Sequence, residues 1–242
     1  SRDNYTENKV YKLFSDFFGK ENVYTNYSID GNAHEQDILV LFKGNALIIE
    51  VKAGKYREPM RNPIKAFDKL KSDFKGIIQS GYEQTLRVKD AFYENDELEI
   101  VNGKYQKLYK FKTKKYREKL FSIVVTLERF GCIQTDLSNM LKIQENDNYP
   151  WSINLYDLEA FLLTLRSKKG KFTRFFSFLN ARENYHGHLL CDDELELCGA
   201  FLLRPLEFDK ISKTNDKNTD SLKINLENNS FIWFRASKTE AD

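Results

Sequence analysis

Only three cysteines occur in 242 residues, Cys132, Cys191 and Cys198, and no two of them form a CxxC pair. So sparse and odd a count excludes a disulfide framework and points to buried thiols in a reducing, cytoplasmic setting. No run of eighteen apolar residues is present, which excludes a transmembrane helix and a membrane partner. The opening segment SRDNYTENKV has no apolar stretch of the kind a signal peptide needs. The chain also lacks an initiator Met and stops at KTEAD, which reads as a segment of something longer. No GxxxxGK[ST] or GxSxG string occurs, so P-loop and serine-hydrolase chemistry have no support. Internal repeats and low-complexity tracts are absent as well. What is present is 41% hydrophobic residues and 14% aromatics, enough to build a core and to exclude wholesale disorder.

The formal net charge of +2 hides local imbalance. Residues 104–119 hold eight basic side chains against Glu118 alone, and residues 43–75 hold nine against four acids. Acids gather at 90–99 and 192–196. Such segregation permits a positive groove on a nearly neutral protein, although a charge run is as readily a solvated face.

Helical spacing of Val10, Leu13, Phe14 and Phe17 predicts a helix over 5–18, stopped by Gly19. A strand at 22–29 follows, then two apolar strands, 37–42 and 46–53, joined through Lys43-Gly44-Asn45. Asn62-Pro63 opens a helix that keeps its apolar period to Phe92. LEIV-NG-KYQKLYKF (98–111) predicts a hairpin with a type I′ turn at Asn102-Gly103. A central strand follows at 120–128. Beyond Pro150 leucine and phenylalanine stripes predict helices, 210–220 a loop, and the last segment a closing hairpin. The domains expected are a core over 1–145, with the basic hairpin 98–119 inserted, and a mostly helical accessory region over 146–242.

One anomaly carries chemistry. Glu50 sits between Ile48-Ile49 and Val51 in a strand apolar enough to be central, where an unpaired carboxylate is costly. Lys52 leaves the same face two residues on. With Gly44-Asn45 as a two-residue turn, Lys43 pairs with Ala46, and Asp37 lies opposite Lys52 and diagonal to Glu50. A three-residue turn would send Asp37 to the other face. Two carboxylates about 5 Å apart repel by roughly 3 kcal/mol at an effective dielectric near 20. They call for a cation or a shared proton. Lys52 supplies one positive charge, and Mg²⁺, with Mn²⁺ able to substitute, suits the oxygen ligands. A buried ion triad without chemistry is the plain alternative.

The string EQDILVLFKGNALIIEVKAG resembles the PD-(D/E)XK, or restriction-endonuclease-like, nuclease superfamily. Asp37 matches its first acid and Glu50-Val51-Lys52 its E-x-K, while Glu35-Gln36-Asp37 is similar to the E-x-D opening of the Holliday-junction-resolvase-like and NERD-type branches. Gln36 stands where many members have proline. The resemblance covers roughly residues 5–128. It implies an α/β core of helix, three strands, helix and strand, with a mixed central sheet flanked by helices. It implies an Mg²⁺-dependent endonuclease acting on DNA, in a defence or repair setting. Asp37 and Glu50, with the Val51 carbonyl, would hold the metal, and Lys52 would position the attacking water. By the same resemblance Glu7 of the first helix would support the metal shell. Gln84 would orient Lys52 or the water, since it flanks the apolar stripe whereas Gln79 faces solvent.

Lysines interleaved with Tyr105, Tyr109, Phe111 and Tyr116 suit phosphate contacts and base stacking. The residues expected against nucleic acid are Lys55, Arg57, Lys104, Lys107, Lys110, Lys112, Lys114 and Lys115; an edge strand guarded by lysines is the plain reading of the hairpin. Arg166, Lys168, Lys169, Lys171 and Arg174 extend the basic surface. His34 is expected to line the site, and His186-Gly-His188 to be loop residues rather than zinc ligands. A non-catalytic module on the same scaffold, binding nucleic acid or a protein partner, is the rival reading. The sequence leaves open a homodimer or a larger multidomain context.

Overall fold

The computed structural model describes residues 2–29, 34–54, 62–102, 104, 106–187, 189–213, 222–225 and 230–233. The chain divides into two compact units: Ser1–Arg129 with Pro150–Leu162, and Phe130–Tyr149 with Leu163–Asp242.

The first unit is built on helix α1 (Arg2–Phe18), whose Val10, Phe14, Phe17 and Phe18 are buried. Gly19 ends it at φ 92°, a conformation that favours glycine, while its N–H donates to the Ser15 carbonyl. Strands β1 (Val23–Ile29), β2 (Gln36–Phe42) and β3 (Asn45–Lys52) follow as an antiparallel meander. The polypeptide then forms α2 (Pro63–Phe74), a π-helical turn (Lys75–Gln79) and α3 (Ser80–Glu94). Asn62 caps α2 by accepting the Lys65 N–H at 3.2 Å, with Pro63 in the first turn. Strands β4 (Glu97–Asn102), β5 (Lys107–Lys112), β6 (Leu120–Thr126) and β7 (Trp151–Asn154) complete one seven-stranded sheet in the order β5-β4-β1-β2-β3-β6-β7. β3, β6 and β7 are mutually parallel, and the other pairings are antiparallel.

Helices cover both faces. Phe18 of α1 meets Phe42 at 5.2 Å between ring centroids, on the face opposite Leu39 and Leu41. Val88 and Phe92 of α3 share a core with Leu39, Leu41, Ala46 and Ile48. β3 and β6 are buried along nearly their whole length, as parallel strands between two helix layers must be. The fold is therefore the expected α/β architecture, a mixed central sheet flanked by helices.

Three expectations differ from the structure. The β2–β3 turn is Lys43-Gly44, with φ 48° and 80°, so Phe42 pairs with Asn45. The 98–111 hairpin forms, but Asn102 does not enter a two-residue turn. Its side chain accepts the Lys104 and Gln106 N–H groups at 2.9 and 3.0 Å, and its N–H donates to the Gln106 carbonyl. The inserted hairpin joins the main sheet, because β4 pairs with β1 and makes β5 its edge. Finally, the 145/146 boundary gives way to a discontinuous division. β7 pairs with β6 from Ile123↔Trp151 to Thr126↔Asn154, which returns residues 150–162 to the first unit.

The second unit contains α4 (Cys132–Thr135), the end of α5 (Leu155–Arg166), α6 (Lys171–Arg182), α7 (Glu194–Leu203) and α8 (Pro205–Lys213). A small sheet joins β8 (Leu189–Leu190), β9 (Leu222–Asn225) and β10 (Ser230–Trp233), so the closing hairpin forms as expected. α8 runs into the stretch expected as loop. Phe178, Tyr185, Phe201 and Phe208 make the core. Beside it Arg182, 1% exposed, is chelated by Glu194 at 2.8 and 2.9 Å and donates to the Thr135 carbonyl. None of the three cysteines forms a disulfide; Cys191 and Cys198 are buried as expected, whereas Cys132 is exposed. No helix among the described residues is long and apolar enough to cross a membrane.

Candidate active site

The register places the chemistry. Ile38 pairs with Ile49 at the end of the β2–β3 ladder, so one step further sets Asp37 opposite Glu50 rather than opposite Lys52. The one-residue change at each side of the turn alters the partner but preserves the face, because side chains alternate with period 2. Convergence therefore holds. Glu50 and Lys52 lie on the α3 side of β3, continuing the row of Ala46 and Ile48.

Glu50 is 2% exposed. Its Oε2 stands 3.4 Å from the Lys52 Nζ, and the same ammonium donates to the Gln84 Oε1 of α3. Asp37 accepts the Val51 N–H on Oδ2 at 2.7 Å, and its carboxyl is within hydrogen-bonding reach of Glu50. Burial and the Asp37 charge push the Glu50 carboxyl up to about 8, against the opposing pull of Lys52. Burial likewise raises Asp37, although the Val51 N–H and Lys52 favour its charged form. Glu7 is raised by partial burial and by the charges of Asp37, Asp3 and Glu35. Glu7 also feels the Lys52 charge, which lowers it in opposition to those acids.

Glycine lets α3 come this close. A Cβ on Gly81 would lie 2.8 Å from Val124 Cγ1 and 3.3 Å from Lys52 Cε. Only hydrogen fits there, which brings Gln84, one turn on, over the lysine.

The expected residues Glu7, Asp37, Glu50, Lys52 and Gln84 are thus brought together. Gln79 bonds to Glu83 on the exposed side, as the helical spacing predicts. His34 is exposed next to the start of β2. Among the described residues no group of three or more His, Cys, Asp or Glu side chains is arranged to hold a metal ion. The oxygen donors that face each other here are the Asp37 and Glu50 carboxylates.

Comparison with known proteins adds little. No protein-family model matches the chain, and no curated protein matches it. Among solved structures, the small subunit of the heterodimeric restriction endonuclease R.BspD6I is similar over 84% of this chain and 90% of that one, with 14% identity and a TM-score of 0.41.

Two residues of the site escape sequence reasoning. Gln36 is 4% exposed; with its amide turned so that nitrogen faces acceptors, it donates to Glu50 Oε1 at 3.0 Å and to the Gln84 carbonyl at 3.2 Å. Tyr27, paired with Gln36 across β1 and β2, is fully buried, and its hydroxyl has no hydrogen-bond partner among the described residues. The charges of Glu50 and Asp37 add to burial in raising its phenol. The only sequence signal for Gln36 is an amide beside the first acid, at the mouth of an apolar strand.

The basic residues are placed more variously. Lys107 pairs with Glu99 at 2.9 Å and Lys110 with Glu97 at 2.8 Å, diagonally across the hairpin. Lys104, Lys112, Lys114 and Lys115 are exposed. The Lys115 carbonyl lies against Gly44, at the turn end of β3 and about 20 Å along the strand from Glu50. Lys55, Arg57, Tyr105 and His188 lie outside the described residues.

Proposed function

We propose that this chain is a divalent-cation-dependent nuclease that hydrolyses phosphodiester bonds, with DNA as substrate. The observation that carries the reading is the Asp37–Glu50 pair with Lys52 held between Glu50 and Gln84. The sequence resemblance to the PD-(D/E)XK superfamily supports it from the other side, since the same residues match its motif.

The residues fit a cation. The buried Glu50 carboxylate and the half-buried Asp37 carboxylate face each other at one end of the sheet, and Glu50 is pushed up to about 8 because burial and Asp37 oppose its ionisation. Hard, all-oxygen donors with excess negative charge suit Mg²⁺ or Mn²⁺ rather than a thiolate-seeking metal. Asp37, Glu50 and the Val51 carbonyl would hold the ion. When bound, Mg²⁺ supplies Lewis-acid polarisation of a phosphoryl oxygen and activation of water.

The protein's own groups do the positioning. Gln84 and Glu50 fix the Lys52 ammonium from two sides, so it donates toward the scissile phosphate without first searching rotamers. There it orients the attacking water and stabilises charge that develops on the phosphate. Glu7 adds negative charge behind Asp37. The exposed lysines of residues 104–115 meet the nucleic-acid backbone away from the bond that breaks.

The test is incubation of the protein with supercoiled plasmid and with linear single-stranded DNA, in Mg²⁺, Mn²⁺ or EDTA. Cutting that needs metal and is lost in both Glu50→Ala and Lys52→Ala is the expected result. A folded parent that binds DNA equally with EDTA, cuts nothing, and is unaffected by Glu50→Ala overturns the nuclease reading in favour of a binding module.

A further inference from the structure

The Gln36 amide nitrogen has no proton to spare. It carries two protons, and two acceptors face it: Glu50 Oε1 at 3.0 Å and the Gln84 carbonyl at 3.2 Å. The opposite orientation would set an oxygen against both. With 4% of its surface exposed, this side chain is shielded from competing water.

The two acceptors are the two groups that flank Lys52. Glu50 uses Oε1 for Gln36 and presents Oε2 toward the ammonium, while the Gln84 backbone is anchored as its side chain accepts from the same ammonium. One glutamine at the start of β2 thereby ties β2 to the end of β3 and to α3. Removing it frees Glu50 to rotate and leaves the Gln84 carbonyl without that donor.

We infer that Gln36 is a positioning residue, fixing the Glu50 carboxylate and the Gln84 backbone so that Lys52 and the cation-binding oxygens keep one geometry. This rests on the nuclease reading for its consequence but not for its geometry. Hydrogen bonds to a carboxylate are among the stronger ones, and a buried carboxylate held on one oxygen has little freedom left on the other.

Two measurements test it. In the metal-free protein, the Gln36 side-chain amide is expected to give a slowly exchanging proton resonance that shifts and loses protection in Glu50→Ala. In calorimetry with Mn²⁺, Gln36→Met is expected to bind about tenfold more weakly than the parent, as loss of one hydrogen bond to a charged group implies. With DNA cleavage as a third readout, the Mn²⁺ half-saturation should rise about tenfold. Unchanged amide resonances in Glu50→Ala, or Mn²⁺ affinity within about twofold of the parent in a folded Gln36→Met, overturn the inference. A parent that neither binds Mn²⁺ nor cuts DNA refutes the nuclease reading, and the amide resonance then decides the Gln36 geometry by itself. It also decides if Gln36→Met does not fold.

Discussion

Gly81→Ala tests the closeness of α3 to β3. The new methyl would sit 2.8 and 3.2 Å from the two Val124 methyls and 3.3 Å from Lys52 Cε. Val124 is fully buried in β6, paired to Glu50, and cannot swing aside. Overpacking of this kind costs about 1–3 kcal/mol, and replacing glycine by alanine inside a helix returns about 1 kcal/mol. The net expectation is a destabilisation of about 1 kcal/mol, or about 2–4 °C in melting temperature for a chain of this size. Activity should fall further than stability, because the same methyl pushes on the stem of Lys52. The assay is chemical denaturation and DNA cleavage on Gly81→Ala, Val124→Ala and the double variant. Val124→Ala removes the obstructing methyls, so the double variant should be more stable than the sum of the singles by about 1–3 kcal/mol. A Gly81→Ala protein more stable than the parent by about 1 kcal/mol, with no coupling to Val124, would refute the close approach.

Other expectations follow from buried polar groups. Tyr27→Phe removes a buried hydroxyl without a partner among the described residues, so stability should hold or rise by about 1 kcal/mol; a loss of that size in denaturant unfolding would mean that the hydroxyl is hydrogen-bonded in solution. Arg182→Met takes the guanidinium away from the buried Glu194 carboxylate, at a cost of about 3–5 kcal/mol, and adding Glu194→Leu should recover most of it; equal stability of the single and double variants would contradict the pairing. His186 is held neutral, its imidazole pushed down to about 4 by burial and by the Arg182 charge. The Leu137 N–H donates to Nδ1 at 3.0 Å, Arg182 stands 3.2 Å from Nε2, Asp136 lies 3.8 Å away and Tyr149 covers the ring. Between pH 4 and 6.5 the unfolded chain binds the extra proton, so the contribution of His186 to stability is full above 6.5 and falls by about 3 kcal/mol toward pH 4, while the raised Glu50 carboxyl contributes a slope of opposite sign. His186→Gln should remove the His186 part of the slope in urea unfolding; an unchanged slope would show that another group titrates.

Much of the candidate site was legible because its signal is local. A carboxylate amid Ile48, Ile49 and Val51, with a lysine two residues on, is visible in any strand reading, and period-2 alternation kept Asp37 on their face even though the turn fell one residue earlier. Gln84 was legible from its phase relative to Gly81 and Val88. The π-helical turn at Lys75–Gln79 precedes those three residues, so it left their relation intact. Elements defined by tertiary pairing were less visible. β7 is a four-residue strand between Pro150 and α5, too short for periodicity to show, and its parallel partner lies 25 residues upstream. Asn102-Gly103 reads as a tight turn, yet the Asn102 side chain organises a longer loop. The lysines at 107 and 110 read as free charge until the fold brings Glu99 and Glu97 across from them. Gln36 and Tyr27 acquire meaning only when β1, β2, β3 and α3 are assembled.

The most direct test of the central claim is single-turnover cleavage of end-labelled DNA at saturating Mn²⁺ by the parent and by Lys52→Met, prepared identically and matched for melting temperature. If Lys52 supplies the donor at the scissile phosphate, the variant should cut about 10²–10³ times more slowly while binding DNA as the parent does. Equal rates would assign the cleavage to something other than this site, and no cleavage by either would contradict the nuclease account.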